Sequence, residues 1–434
     1  MSTNNFEHQF IIYSDSCSGV AGTEYADNLR KINQHIVDIC PAPDFICFSG
    51  DEIIGLTNNE LKLQEQWDYW KNTEMKYFYD NNIPIYNTTG NHTTYNSLSE
   101  KVFKDTFHQI PHNGPDNQIG LSYYIIRGNL LMIFVNTCSE ILGGEGRVET
   151  EWIEKVLLEH KHIEHKLVIG HHPIFPPNGF TGDFSRNIET ENGKLFHQIL
   201  VKNKVLAYVC SHLLAFDIQV QEGVLQLMSA GAGTPFRMPE GIEYLHFVIA
   251  QINNTGFSFQ VIDIDGNLRE QLSWPLKNNN LQYPISLKIG NNKIPFEKWN
   301  DDTKSYIKFQ ITGKIDANSS KQTILYSSNN PEEDMPQIWI GLTGIEKRLT
   351  ILINPTQGRS PRHWYGPILK DKHKVDLDLI LHKGMGPCGI LWKMTEEENW
   401  SSCLNANVRG LENLPWIENW HIENKEVKIK YETF

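Results

Sequence analysis

Short, uninterrupted apolar runs alternate with longer amphipathic stretches up to about residue 275. The runs are "QFIIYS" (9–14), "DFICFS" (44–49), "IPIYN" (83–87), "LLMIFVN" (130–136), "KLVIG" (166–170), "LAYVC" (206–210) and "LQLMSA" (225–230). Runs of this length read as strands buried on both faces, and the amphipathic stretches between them as crossovers, so the pattern predicts an α/β domain. One crossover is expected over residues 25–39, where Leu29, Ile32, Ile36 and Ile39 recur at helical spacing. A second, "ETEWIEKVLLEH" (149–160), is expected to place Trp152, Val156 and Leu157 on its inner side.

The period changes after "WPLKNNNLQYP" (274–284), an asparagine run between two prolines that reads as a linker. Beyond it "SYIKFQIT" (305–312), "QIWIGLT" (337–343), "RLTILIN" (348–354) and "VDLDLILH" (375–382) alternate at the spacing of half-buried strands. The expected plan is an α/β domain over 1–275, a linker over 276–284 and an all-β, jelly-roll-like sandwich over 285–434. Six tryptophans of the last segment (339, 364, 392, 400, 416 and 420) fit the core of such a sandwich, with stacking on sugars as the alternative.

A chain of 434 residues also exceeds what one core usually serves, which agrees with two domains. The start, "MSTNNFEHQF", lacks the basic and apolar regions of a signal peptide, and no run approaches the roughly 20 apolar residues that a bilayer requires. A soluble, cytoplasmic protein without a membrane partner is expected. Seven cysteines, with no CxxC pair, suit reduced thiols better than a disulfide framework or a thiolate zinc cluster. The net charge of −13 repels nucleic acid at long range.

The chemistry gathers at strand ends. "YSDSC" carries Asp15, "FSGDE" Asp51, "TTGNHT" Asn91 and His92, "VIGHHP" His171 and His172, and "YVCSHLL" His212. Taken singly, each has a structural explanation: a helix cap, a turn residue or a hydrogen-bonded core histidine. Taken together they occupy the carboxyl ends of successive strands, where open α/β sheets form their ligand crevice. Carboxylate, amide and imidazole suit Mn²⁺, Fe²⁺ or Zn²⁺, and a bound cation would balance the buried charge of Asp51.

The order Asp, Gly-Asp, Gly-Asn-His, Gly-His-His, His resembles the calcineurin-like metallophosphoesterase family over residues 10 to about 220. The stretch "GLSYYIIRGNLLMIFVNT" (120–137) is similar to the strand pair that follows the Gly-Asn-His motif in its purple-acid-phosphatase-like branch. The resemblance implies a four-layer α/β/β/α sandwich with a two-metal site and a small-molecule phosphoester substrate. It implies that Asp51 bridges two ions, that Asn91, His171 and His212 complete the second metal site, and that His92 stays unliganded beside the scissile phosphate. Asp15 belongs to the first site. That site departs from the family pattern, because Cys17 stands for the histidine of the DxH motif and Leu214 for the last histidine of GHxH. One divalent ion per chain is therefore expected, with Asp15 accepting a hydrogen bond from the attacking water and His92 protonating the leaving oxygen. A binding protein that has lost catalysis is the competing expectation. Arg237 in "AGAGTPFR" and His172 are candidates for substrate contact. The oligomeric state is left open.

Overall fold

The computed structural model describes residues 6–177, 186–234, 244–254, 256–275, 288–289, 292–293, 306–327, 338–353, 362–382, 389–405 and 420–433. The expected linker and Arg237 lie outside the described residues. The chain divides into two compact units. The first is built on Met1–Pro177, Gly182–Asp217 and Gly223–Lys298, and the second on Trp299–Phe434 with two short segments from earlier in the chain.

The first unit holds strands β1 (Phe6–Tyr13), β2 (Phe45–Phe48), β3 (Ile85–Asn87), β4 (Tyr123–Arg127), β5 (Leu130–Phe134), β6 (His165–Ile169), β7 (Ala207–Cys210), β8 (Phe216–Gln221), β9 (Val224–Ser229), β10 (His246–Asn253), β11 (Gly256–Asp263) and β12 (Leu268–Trp274). One six-stranded sheet runs β12-β11-β10-β1-β2-β3 and the other β4-β5-β6-β7-β9-β8. Every apolar run named above lies on a strand. The strands β10 to β12 form an antiparallel meander that the sequence reading did not single out.

Side chains interlock between the two sheets: Tyr86 meets Phe134 with ring centroids 5.7 Å apart, and Phe216 meets Phe259 at 6.3 Å. Helix α1 (Glu24–Val37) buries Leu29, Ile32 and Ile36 and is capped by Thr23, whose Oγ1 accepts from the Ala26 amide. Tyr13 of β1 donates from its hydroxyl to Asn33 of this helix, and Phe196 of the helix Thr190–Lys202 packs edge-on against Tyr208 of β7. Helices thus cover the outer face of each sheet, giving the four-layer α/β/β/α arrangement.

The helix Thr150–Glu159 corrects one expectation. Ile153, Val156 and Leu157 are buried, whereas Trp152 is half-buried and donates from Nε1 to the Asn113 carbonyl at 3.2 Å. Ile153 shares the stripe of Val156 and Leu157, and the indole needs a polar partner that the core does not offer.

Among the described residues, the second unit is all-β and antiparallel. One sheet includes Tyr306–Lys314, Lys374–His382, Ile390–Met394 and Val427–Thr433, and the other Lys321–Ser327, Ile338–Thr343, Arg348–Ile353 and Arg362–Ile368. Its core joins Phe309, Ile311, Ile340, Ile351, Leu377 and Leu379 around the fully buried Trp364. Trp364 is therefore a packing residue rather than a sugar platform, and Trp392 and Trp420 pack against the same core.

Candidate metal and active site

Strands β1, β2 and β3 are neighbours, parallel and in register, pairing Tyr13 with Phe48 and Phe48 with Asn87. The loops after them consequently leave the sheet side by side and carry Asp15, Asp51, and Asn91 with His92. The second sheet delivers His171 after β6 and His212 after β7, two more parallel neighbours. Asp15, Asp51, Asn91, His92 and His212 all line one cavity of about 120 Å³.

The loops are held in demanding conformations. Nine non-glycine residues have positive φ among the described residues, and four belong here: Asp15 (57°), Cys17 (41°), Asp51 (56°) and His212 (72°). Left-handed backbone at such residues is uncommon and collects at functional sites. It persists here because backbone bonds lock the loops together. Asp15 donates its amide to the Gly50 carbonyl, Cys17 to that of Asp51 and Ser18 to that of Glu52. Gly90 lies so close to Asp51 that a Cβ on it would sit 2.6 Å from the Asp51 nitrogen and would also strike its carboxylate.

His171 is fully buried, and its two ring nitrogens face different partners. Nδ1 lies 2.9 Å from the Ser49 carbonyl oxygen, which can only accept, so Nδ1 carries the hydrogen; Ser211 Oγ lies 2.8 Å away on the same side. Nε2 is 3.2 Å from Asp51 Oδ2 and 3.2 Å from Asn91 Oδ1. Three lone-pair atoms thus converge, an arrangement that needs a proton or a metal ion between them. Burial alone opposes charge on both partners, but the Asp51 carboxylate, with Asp15 behind it, raises His171 to about 9, and His171 with His92 holds Asp51 below the usual carboxylate range.

His212 is pushed well below the usual imidazole range, by burial first and then by His172 and His171. Its Nε2 is buried without a hydrogen-bond partner. A neutral imidazole keeps one ring nitrogen free to bind a cation, which is the chemistry of a ligand. One ligand atom each from Asp51, His171 and His212 lie within 4.8 Å of one another, so the donor set fits a divalent ion.

Asp15 is buried, and burial raises it to about 6 against the pull of His171; its Oδ2 accepts from Ser14 Oγ at 2.6 Å and from the His212 amide at 3.3 Å. His92 donates its amide to Asp51 Oδ1 at 2.8 Å, and its ring Nδ1 lies 2.8 Å from the Ile54 carbonyl, which leaves the ring lone pair on Nε2. His172 is buried with Nδ1 2.8 Å from Thr137 Oγ1, its ring centroid is 4.3 Å from that of His212, and it is not among the residues lining the cavity.

Sequence reasoning did not pick out Tyr25, Ile54, Arg186 and Thr234, which also line the cavity, or Ser211, which orients His171. Tyr25 and Arg186 lie away from the strand-end motifs, and Ile54 and Ser211 stand beside the more conspicuous Asp51 and His212. Cys17 and Leu214 line the cavity as well.

Among solved structures, the chain is similar to purple acid phosphatase PPD1 from yellow lupin seeds, with 14% identity and a TM-score of 0.46 over 61% of this chain and 53% of that one. It spans about half the length of the lupin protein. It is also similar to GAP50, described as the anchor in the inner membrane complex of Plasmodium, with 12% identity and a TM-score of 0.40 over 62% and 89% of the two chains. A putative 5'-nucleotidase from Staphylococcus aureus shows 12% identity and a TM-score of 0.35 over 74% of each chain. Curated protein sequences give no match. The family model for calcineurin-like phosphoesterase matches residues 8–216, the segment that supplies Asp15, Asp51, Asn91, His92, His171 and His212, and this chain therefore carries a calcineurin-like phosphoesterase domain.

Proposed function

We propose that the first unit is a metal-dependent phosphoesterase that hydrolyses a phosphoric monoester or diester of a small molecule with water and without a covalent intermediate. The observation that carries this is the convergence of His171 Nε2, Asp51 Oδ2 and Asn91 Oδ1, with a ring nitrogen of His212 within 4.8 Å of the Asp51 and His171 ligand atoms. These four side chains would hold one divalent ion, Mn²⁺, Fe²⁺ or Zn²⁺. Such an ion supplies Lewis-acid charge to a phosphoryl oxygen and lets water ionise near neutral pH.

The remaining steps belong to the chain's own groups. Asp15 accepts a hydrogen bond from the attacking water and turns its lone pair toward phosphorus. His92, whose ring is fixed through Nδ1 on the Ile54 carbonyl, first takes a proton from solvent on its Nε2 lone pair and, as the imidazolium, passes that proton to the leaving oxygen. Arg186, the one Lys or Arg side chain among the described residues lining the cavity, offers a guanidinium to the phosphoryl oxygens. The cavity wall formed by Leu214 provides no lone pair, which is why a single ion is proposed and why a binding protein without turnover is the second reading.

The test is metal content per chain together with hydrolysis of an aryl phosphodiester in Mn²⁺. About one ion per chain, with turnover abolished in Asp51→Asn and His212→Ala, is expected. Bound metal without turnover on aryl mono- or diesters would leave the binding reading instead.

A further inference from the structure

A second group of potential ligands adjoins the first. Cys17, Asp51 and His92 each offer one ligand atom, and these atoms lie within 4.8 Å of one another. Asp51 is common to this group and to the one with His171 and His212, while Cys17 and His92 belong to this one alone. We propose that Cys17, Asp51 and His92 form a thiophilic metal position that takes Zn²⁺ or Cd²⁺ and that, when filled, withdraws His92 from proton transfer, so that soft ions inhibit hydrolysis. The inhibitory part rests on the role proposed for His92; the metal position does not.

Geometry and donor chemistry support the assignment. Cys17 is buried but lines the cavity, so an ion entering from solvent can reach its sulfur. Its amide donates to the Asp51 backbone carbonyl at 2.8 Å, which holds the two loops together. His92 gives its Nδ1 hydrogen to the Ile54 carbonyl, the supporting bond that metal-bound histidines usually have. A set of one sulfur, one nitrogen and one oxygen, with the cavity beside it for a fourth ligand, matches open zinc sites, whereas Mn²⁺ favours an all-oxygen or mixed oxygen and nitrogen set. The two positions therefore differ in ion preference. On binding, the Cys17 S–H bond breaks, a sulfur–metal bond forms and the proton leaves to water, so affinity rises with pH.

Cadmium titration of the full chain tests this by the ultraviolet thiolate-to-cadmium charge-transfer band. The band is expected in the wild type, lost in Cys17→Ser and in Cys17→Ala, and retained in Cys40→Ser, which alters an exposed thiol. In Mn²⁺-supported hydrolysis, the Cd²⁺ concentration for half-inhibition is expected to rise at least about 10-fold in Cys17→Ser, the loss that even an indirect supporting partner of a metal can cause. No band in the wild type, or a band that survives both Cys17 substitutions, overturns the metal position. Equal inhibition of wild type and Cys17→Ser overturns the inhibitory role. A Cys17-dependent band in a protein without turnover upholds the position and overturns the phosphoesterase reading.

Discussion

Gly90→Ala offers a sharp test of how the site is positioned, because it adds one methyl group and removes no ligand. The new Cβ would lie 2.6 Å from the Asp51 nitrogen, whereas ordinary contact begins at 3.4 Å, so the loops after β2 and β3 must part by about 0.8 Å. The Asp51 carboxylate, also in the way of the methyl, moves with its backbone and loosens its contacts with His171 Nε2 and the His92 amide. A misplacement of this size at a reacting centre lowers turnover on the order of 100-fold, about 2.7 kcal/mol of transition-state stabilisation. The assay is kcat/KM on an aryl phosphodiester in Mn²⁺, with metal content and thermal midpoint measured on the same samples. The expected result is a folded protein with weakened metal binding and the stated loss. A variant that keeps metal and stays within about threefold of wild-type kcat/KM would refute the claim that the close approach of Gly90 sets the position of Asp51.

Burial pushes Glu74 up from 4.5 to about 7, although its Oε2 accepts from Ser18 Oγ and the Gly19 amide. The folded state then keeps a proton that the unfolded state has lost, so stability falls as pH rises from about 4.5 to about 7 and levels off above. Glu74→Gln is expected to flatten that slope in urea titrations and to stabilise the protein at pH 8 by about 1–2 kcal/mol, allowing for the residue's solvent contact; an unchanged slope would count against it. Trp364→Ala should cost about 3–5 kcal/mol in urea unfolding, because the indole fills the centre of the second unit's core, and a loss below about 1 kcal/mol would contradict that placement.

Most of the candidate site was legible because its residues follow apolar runs directly. A carboxylate or imidazole at the tip of a buried strand conflicts with its surroundings, and that conflict marks Asp15, Asp51, His171 and His212 before any coordinates exist. Arg186 and Tyr25 show no such conflict, since they lie in polar segments, and Thr234 none, since it stands among small residues; only the folded chain brings them to the cavity. Ser211 draws no notice beside His212 in the sequence, yet its hydroxyl lies 2.8 Å from His171 Nδ1. Phase errors on helices have a similar origin. Trp152 and Ile153 are adjacent and both apolar, and only the polar end of the indole decides which of them faces inward. The alternating strands of the second unit were readable one by one, but their pairing order is a property of distant segments.

The in-register parallel strands β1, β2 and β3 have a thermodynamic consequence. The spacing of their loops is inherited from the sheet, about 4.8 Å between neighbouring strands, and parallel β6 and β7 do the same for His171 and His212, so the candidate ligands stand in place before an ion arrives. Loading is then simple bimolecular capture, without a folding step. The melting temperature should climb smoothly with the logarithm of free ion concentration above the dissociation constant, and chelators should strip the protein without denaturing it.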